Sequence, residues 1–170
     1  MIFFSRRQYT LGELAGATEQ NRMQKAGSCG VQLVDTYHTI EKESIKDKFK
    51  NLFKFNGAKK VNTYYVTFNF LVTSDSGTQH HVYIKCLPDF QMHYGGNNPV
   101  QIFCDCSDFK FRSAYDLDSK GSLLKTGKTI AALTGAIGQK PKTPGPIMCK
   151  HCVAALQWLL NNYNQLMRGL

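Results

Sequence analysis

The sequence predicts an α+β fold: a small antiparallel sheet, built from a hairpin plus a short strand, tied to a C-terminal amphipathic helix. Three observations predict it. The run Val61 to Thr73 is dense in β-branched and aromatic residues and is followed by the turn Ser74-Asp75-Ser76-Gly77 and a second apolar run, His80 to Leu87. Cys152, Leu156, Leu159, Leu160, Tyr163 and Met167 recur on one face of a helix over Cys149 to Leu170. Two compact groups, Cys104-Asp105-Cys106 and Cys149-Lys150-His151-Cys152, stand where these elements end and begin.

A chain of 170 residues can bury a core without disulfide staples. Its apolar fraction of 42%, with eleven Phe and eight Tyr, excludes a disordered composition. Residues 1–60 read as a basic N-terminal arm with short helices, and residues 61–170 as one α+β domain with a long loop at 119–146. Within the arm, a short helix is expected over Leu11 to Lys25. A better one is expected over Glu43 to Phe53, where Ile45, Phe49, Leu52 and Phe53 share a face and lysines cover the rest. Asn56-Gly57 ends it.

After the hairpin, the turn-rich stretch Tyr94 to Pro99 leads into a short strand, Val100 to Phe103, so the first cysteine pair sits at a strand end. Ser107 or Asp108 can cap a short helix through about Leu117. The stretch 119–146 holds five Lys, five Gly and three Pro, with a weak helical patch at Thr129 to Leu133. A loop this long is either functional or ordered by a partner. Pro144-Gly145-Pro146 blocks an earlier start for the terminal helix.

Six cysteines without a secretory leader point to metal binding or packing, not to a disulfide framework. Met1 to Phe4 is apolar, but Arg6 and Arg7 follow at once and no h-region is expected. Thiolates and a neutral imidazole are the ligands of tetrahedral zinc, and four protein ligands make a closed, structural site. Cys104, Cys106 and Cys149 supply three, and His151 or Cys152 the fourth. Cys152 has a separate reason to be present, as a core residue of the amphipathic helix, so His151 is the favoured ligand and Cys152 its competitor. A Zn2+ held there would close the long loop and convert binding free energy into folding free energy. Cys86, inside an apolar run, reads as packing, and nothing in the sequence assigns Cys29.

Other motifs exclude function classes. Gly127-Lys128-Thr129 is no phosphate loop, because Ser122 occupies the place of the leading glycine. His80 and His81 are neighbours on a strand, point to opposite faces and cannot readily share a metal. No nucleophile and base stand in a recognisable context, so no enzyme is expected. No window reaches the roughly eighteen apolar residues of a membrane span, and no small-molecule substrate or membrane partner is expected.

The string Cys104-Asp105-Cys106-Ser107-Asp108-Phe109 with Arg112, then Pro144-Gly145 ahead of Cys149-Lys150-His151 and an Ala-Leu-rich helix, resembles the SWIM-type zinc finger over about residues 100 to 160. That resemblance implies a ligand set of Cys104, Cys106, Cys149 and His151. The preceding hairpin and the Cys-Asp-Cys start are also similar to SWIM-like virion structural proteins of tailed bacteriophages. The likeness implies a non-enzymatic virion component, made in the host cytoplasm, whose partners are other virion proteins and copies of itself. A net charge of +9 keeps a second expectation open, an intracellular DNA- or RNA-binding module. Lys120, Lys125, Lys128, Lys140, Lys142 and Lys150 would then meet phosphates.

Overall fold

Strand β2 (Lys60–Thr73) is the spine of the sheet, because alternate residues Val66, Phe68, Phe70 and Val72 are all fully buried. In the computed structural model the described residues are 8–16, 20–44, 60–88, 95–133 and 148–169. β2 pairs on one side with β3 (Gln79–Cys86), with Phe68 opposite Ile84 and Phe70 opposite Val82. The hairpin turn between them places Gly77 at a φ of 81°, a conformation glycine adopts without steric cost. β3 pairs in turn with the short β4 (Val100–Cys104), and all neighbours are antiparallel.

The fourth strand was not legible in the sequence. β1 (Gly30–Ser44) is fifteen residues long, pairs along β2, and gives the order β1-β2-β3-β4. It lies in the stretch expected to be an arm with short helices. Polar residues dominate it, and a register shift between Leu33 and Asp35 breaks the period of two that marks a strand. The helix expected over Glu43 to Phe53 does not start at Glu43, since Glu43 and Ser44 finish β1; Ile45 to Phe53 lies outside the described residues.

The helix expected over Leu11 to Lys25 is two helices, α1 (Leu11–Gly16) and α2 (Gln20–Gly27). Thr10 and Glu13 form a reciprocal capping box at the start of α1, each accepting the other's backbone N–H, at 3.2 and 2.8 Å. Gly12 is required there, because a Cβ would stand 2.9 Å from the Gly96 carbonyl oxygen in the 3-10 turn Gly95–Asn97.

Following β4, a π-helical turn (Phe109–Ser113) runs into α3 (Ala114–Lys120), which ends on the left-handed Gly121. The first part of the expected long loop is pinned to β4. Ile102 N–H donates to the Ser122 carbonyl at 2.8 Å and Leu124 N–H to the Ile102 carbonyl at 3.0 Å. Helix α4 (Gly127–Ala132) follows, capped by Thr126 and Thr129. Residues 134–146 of that loop lie outside the described residues.

Helix α5 (Lys150–Arg168) covers the buried face of the sheet with Leu156, Leu159 and Tyr163, as its periodicity predicts, and α1 and α2 pack against it. Phe70 meets Trp158 edge-on at 5.4 Å. No described helix is long and apolar enough to cross a membrane.

One polar residue organises the far end of this core. Asn98, fully buried, donates to the Leu87 carbonyl at 2.5 Å and to the Tyr163 hydroxyl at 2.6 Å, and its Oδ1 accepts the Leu87 N–H at 3.0 Å. Asn98→Ala would remove the acceptor of the part-buried Leu87 N–H and a donor to the Tyr163 hydroxyl, and is expected to cost about 1–3 kcal/mol. A lowered urea midpoint with an unchanged slope is the expected result.

Candidate metal centre

Cys104 is the last residue of β4, and Cys106 lies two positions on, where the chain bends toward the π-helical turn. Cys149 is the N-cap of α5, and His151 lies in its first turn. One ligand atom from each of Cys104, Cys106, Cys149 and His151 lies within 4.8 Å of all the others, and all four residues are buried. Among the described residues this cluster can hold a metal ion.

Local backbone geometry prepares both halves in the same way. Phe109 N–H donates to Cys106 Sγ at 3.3 Å, and Cys152 N–H donates to Cys149 Sγ at 3.4 Å. Free amides at the start of a helical turn stabilise negative sulfur. Burial pushes the thiols of Cys104 and Cys152 well above their ordinary value. Burial acts in the same direction on Cys149, but hydrogen bonds from Cys104, Cys106 and Cys152 overcome it and hold that thiol well below.

His151 supplies the test of fit. It is only 6% exposed, and neither ring nitrogen has a hydrogen-bond partner. Two orphaned nitrogens in a dry interior are costly, and a metal ion would satisfy one of them. The donor set of three thiols and an imidazole therefore suits a metal ion. Cys152 is wholly buried and its backbone N–H donates to Cys149 Sγ at 3.4 Å, so the competing residue borders the cluster on the sulfur side.

Partners around the cluster fix its shape. Asp105, between the first two cysteines, accepts the His81 N–H at 3.1 Å through Oδ2 and meets His80 Nδ1 at 2.9 Å through Oδ1. That carboxylate fastens the bend to the start of β3. The His80 ring lies against the His151 ring, with centroids 4.3 Å apart. Asp108 receives Arg22 Nη1 at 2.6 Å and Arg112 Nε at 3.0 Å. The same Arg22 Nη1 also reaches the Met148 carbonyl at 3.3 Å. One guanidinium from α2 thus clamps Asp108, two residues after Cys106, to Met148, the residue just before Cys149.

The sequence pointed to the four residues that cluster here but not to Arg22 or His80 as their neighbours. The carboxylate inside Cys104-Asp105-Cys106 was the one available signal for His80. His80 and His81 do point to opposite faces, as strand alternation predicts, yet His80 is part of the metal centre's surroundings. Cys86 packs in the core, where burial raises its thiol to about 12. The half-buried Cys29 thiol donates to the Lys25 carbonyl at 3.4 Å.

Arg22→Met is expected to keep the fold of the sheet and to weaken metal affinity by about 10–100-fold, the range for residues that orient ligands. Competition with a chromogenic chelator measures it.

The described lysines named from the sequence fall in separate settings. Lys150 pairs with Asp75, Lys125 pairs with Asp118, and Lys120 stands 6.0 Å from the centre of the Tyr9 ring. Lys128 lines a different cavity from the one beside the cluster, and Lys140 and Lys142 lie outside the described residues. Thr129 cannot serve a phosphate, since its hydroxyl is committed to the cap of α4 and to the Leu124 carbonyl.

Comparison with protein-family models, with curated proteins and with solved structures finds no match to this chain.

Proposed function

We propose that this chain is a non-enzymatic structural protein whose metal centre is a SWIM-type zinc site, and that it serves as a docking component of a tailed-phage virion in a head-tail connector, tail or baseplate. The observation that carries the reading is the convergence of Cys104, Cys106, Cys149 and His151 in a dry cluster. Four protein ligands of this kind suit Zn2+ and leave no position for water or substrate, which favours a structural over a catalytic role. The resemblance of the ligand spacing to SWIM fingers, and of the hairpin and Cys-Asp-Cys start to virion proteins, supplies the family and the setting. The long edge strand β1, with Val34 and Ile40 each about half exposed, is the kind of surface that assembly covers. Partners under this reading are other virion proteins and further copies of the chain. Mass spectrometry of purified particles tests it: the chain is expected in stoichiometric amount, and its absence from the particle contradicts the reading.

A net charge of +9 favours a second reading, a zinc-dependent DNA- or RNA-binding module within the cell. Salt separates the two. Sub-micromolar binding of nucleic acid that falls steeply with added salt supports the module, whereas docking through apolar and backbone surfaces persists.

A further inference from the structure

The sheet has a second face, turned away from α5, and it is not covered in the same way. His81 and Tyr83 of β3 and Phe103 of β4 project there, with Tyr37 of β1 two strands away. His81 and Tyr83 lie 6.1 Å apart with planes only 18° from parallel, and Phe103 follows Tyr83 at 6.2 Å. These rings form the floor of a cavity of about 620 Å³ whose opposite wall is Leu124 and helix α4. Its size lies in the range of small-ligand sites.

The lining chooses among occupants. A row of rings favours a flat π system. Asp105 contributes an acceptor and Lys128 a donor, and the Thr126 hydroxyl, whose proton and one lone pair are taken by Thr129 in the cap of α4, keeps a second lone pair as an acceptor, all in the same cavity. A hydrocarbon would use neither the Lys128 ammonium nor the lone pairs that Asp105 keeps after meeting His80 and accepting the His81 N–H. A simple anion would face Asp105, and a simple cation would face Lys128. A heteroaromatic ring with donors and acceptors along one edge satisfies both the floor and the polar wall, and that is the chemistry of a nucleobase.

We infer that this cavity binds a nucleobase-bearing ligand, with the base packed on the rings of Tyr37 and Tyr83 and its polar edge met by Asp105, Thr126 and Lys128. The base can belong to a free nucleotide or to a single strand. In the second case the inference rests on the nucleic-acid reading and gives it a site distinct from the metal centre. Aromatic residues displayed on a sheet face are a recurrent platform for unpaired bases.

The test uses the full chain as purified, with a fluorescein-labelled single-stranded oligothymidylate followed by anisotropy and AMP followed by saturation-transfer NMR. Tyr37→Ala is the first variant, because Tyr37 is 38% exposed and its loss leaves the core intact. Tyr83→Leu is the second and keeps apolar volume. Each is expected to weaken binding about tenfold, the scale of one lost base stack, with the melting temperature held near that of the parent. Tyr83→Phe is expected to bind within about twofold of the parent, since the ring is kept. Oligothymidylate binding without AMP binding assigns the base to a strand, and AMP binding assigns it to a free nucleotide; either supports the cavity. Binding of neither probe overturns it. So does binding that Lys150→Ala abolishes and the tyrosine variants leave unchanged, a result that would uphold the nucleic-acid reading while rejecting this site.

Discussion

Cys149→Ser is expected to abolish stoichiometric metal binding and to lower stability by more than about 4 kcal/mol, the range reached when a structural metal is lost. The substitution isolates the ligand role. Serine is a good N-cap and can still accept the Cys152 N–H, so the start of α5 is not uncapped by the change. What disappears is the sulfur with the lowered proton affinity, at the point where the two halves of the cluster meet. The tether between β4 and α5 then depends on apolar packing and the Arg22 clamp alone. Metal analysis paired with urea unfolding of parent and variant measures both effects. A variant that retains one metal per chain with parental stability would contradict the assignment of Cys149.

His151→Ala is expected to weaken metal binding well beyond the roughly 100-fold upper range of an orienting residue, while Cys152→Ala retains stoichiometric metal. Both residues are buried beside the cluster, so burial does not separate them. Their partners do. His151 has two nitrogens without hydrogen bonds, a condition that a metal relieves. Cys152 is a core residue of α5 whose thiol is raised by burial, and a small apolar side chain can replace it. Cys152→Ala is therefore expected to cost only packing, about 1 kcal/mol, near the centre of the mutational distribution. Metal stoichiometry in the two variants decides the fourth ligand, and loss of metal on Cys152→Ala alone would reverse the choice.

The hairpin of β2 and β3 and the terminal helix were readable because each buries one regular face. Val66, Phe68, Phe70 and Val72 alternate, and Cys152, Leu156, Leu159 and Tyr163 recur at helical spacing. The cluster was readable because cysteine and histidine at short spacing have few other uses. β1 was not, for a physical reason: an edge strand with one register shift and mostly exposed side chains carries almost no hydrophobic period. The supports of the metal centre were hidden for a different reason. Arg22 reaches Asp108 and Met148 across most of the chain, and local spacing says nothing about contacts of that kind. The start of α1 carries a capping box, Thr10 with Glu13, whose signature stands in the sequence, whereas the break between α1 and α2 falls at residues 17–19, outside the described residues.

The most direct measurement is elemental analysis of the natively purified chain together with its melting curve before and after a strong chelator. One zinc per chain and a large fall in melting temperature on chelation are the predicted results. A chain free of metal, with a melting curve that the chelator leaves unchanged, would contradict the account at its centre.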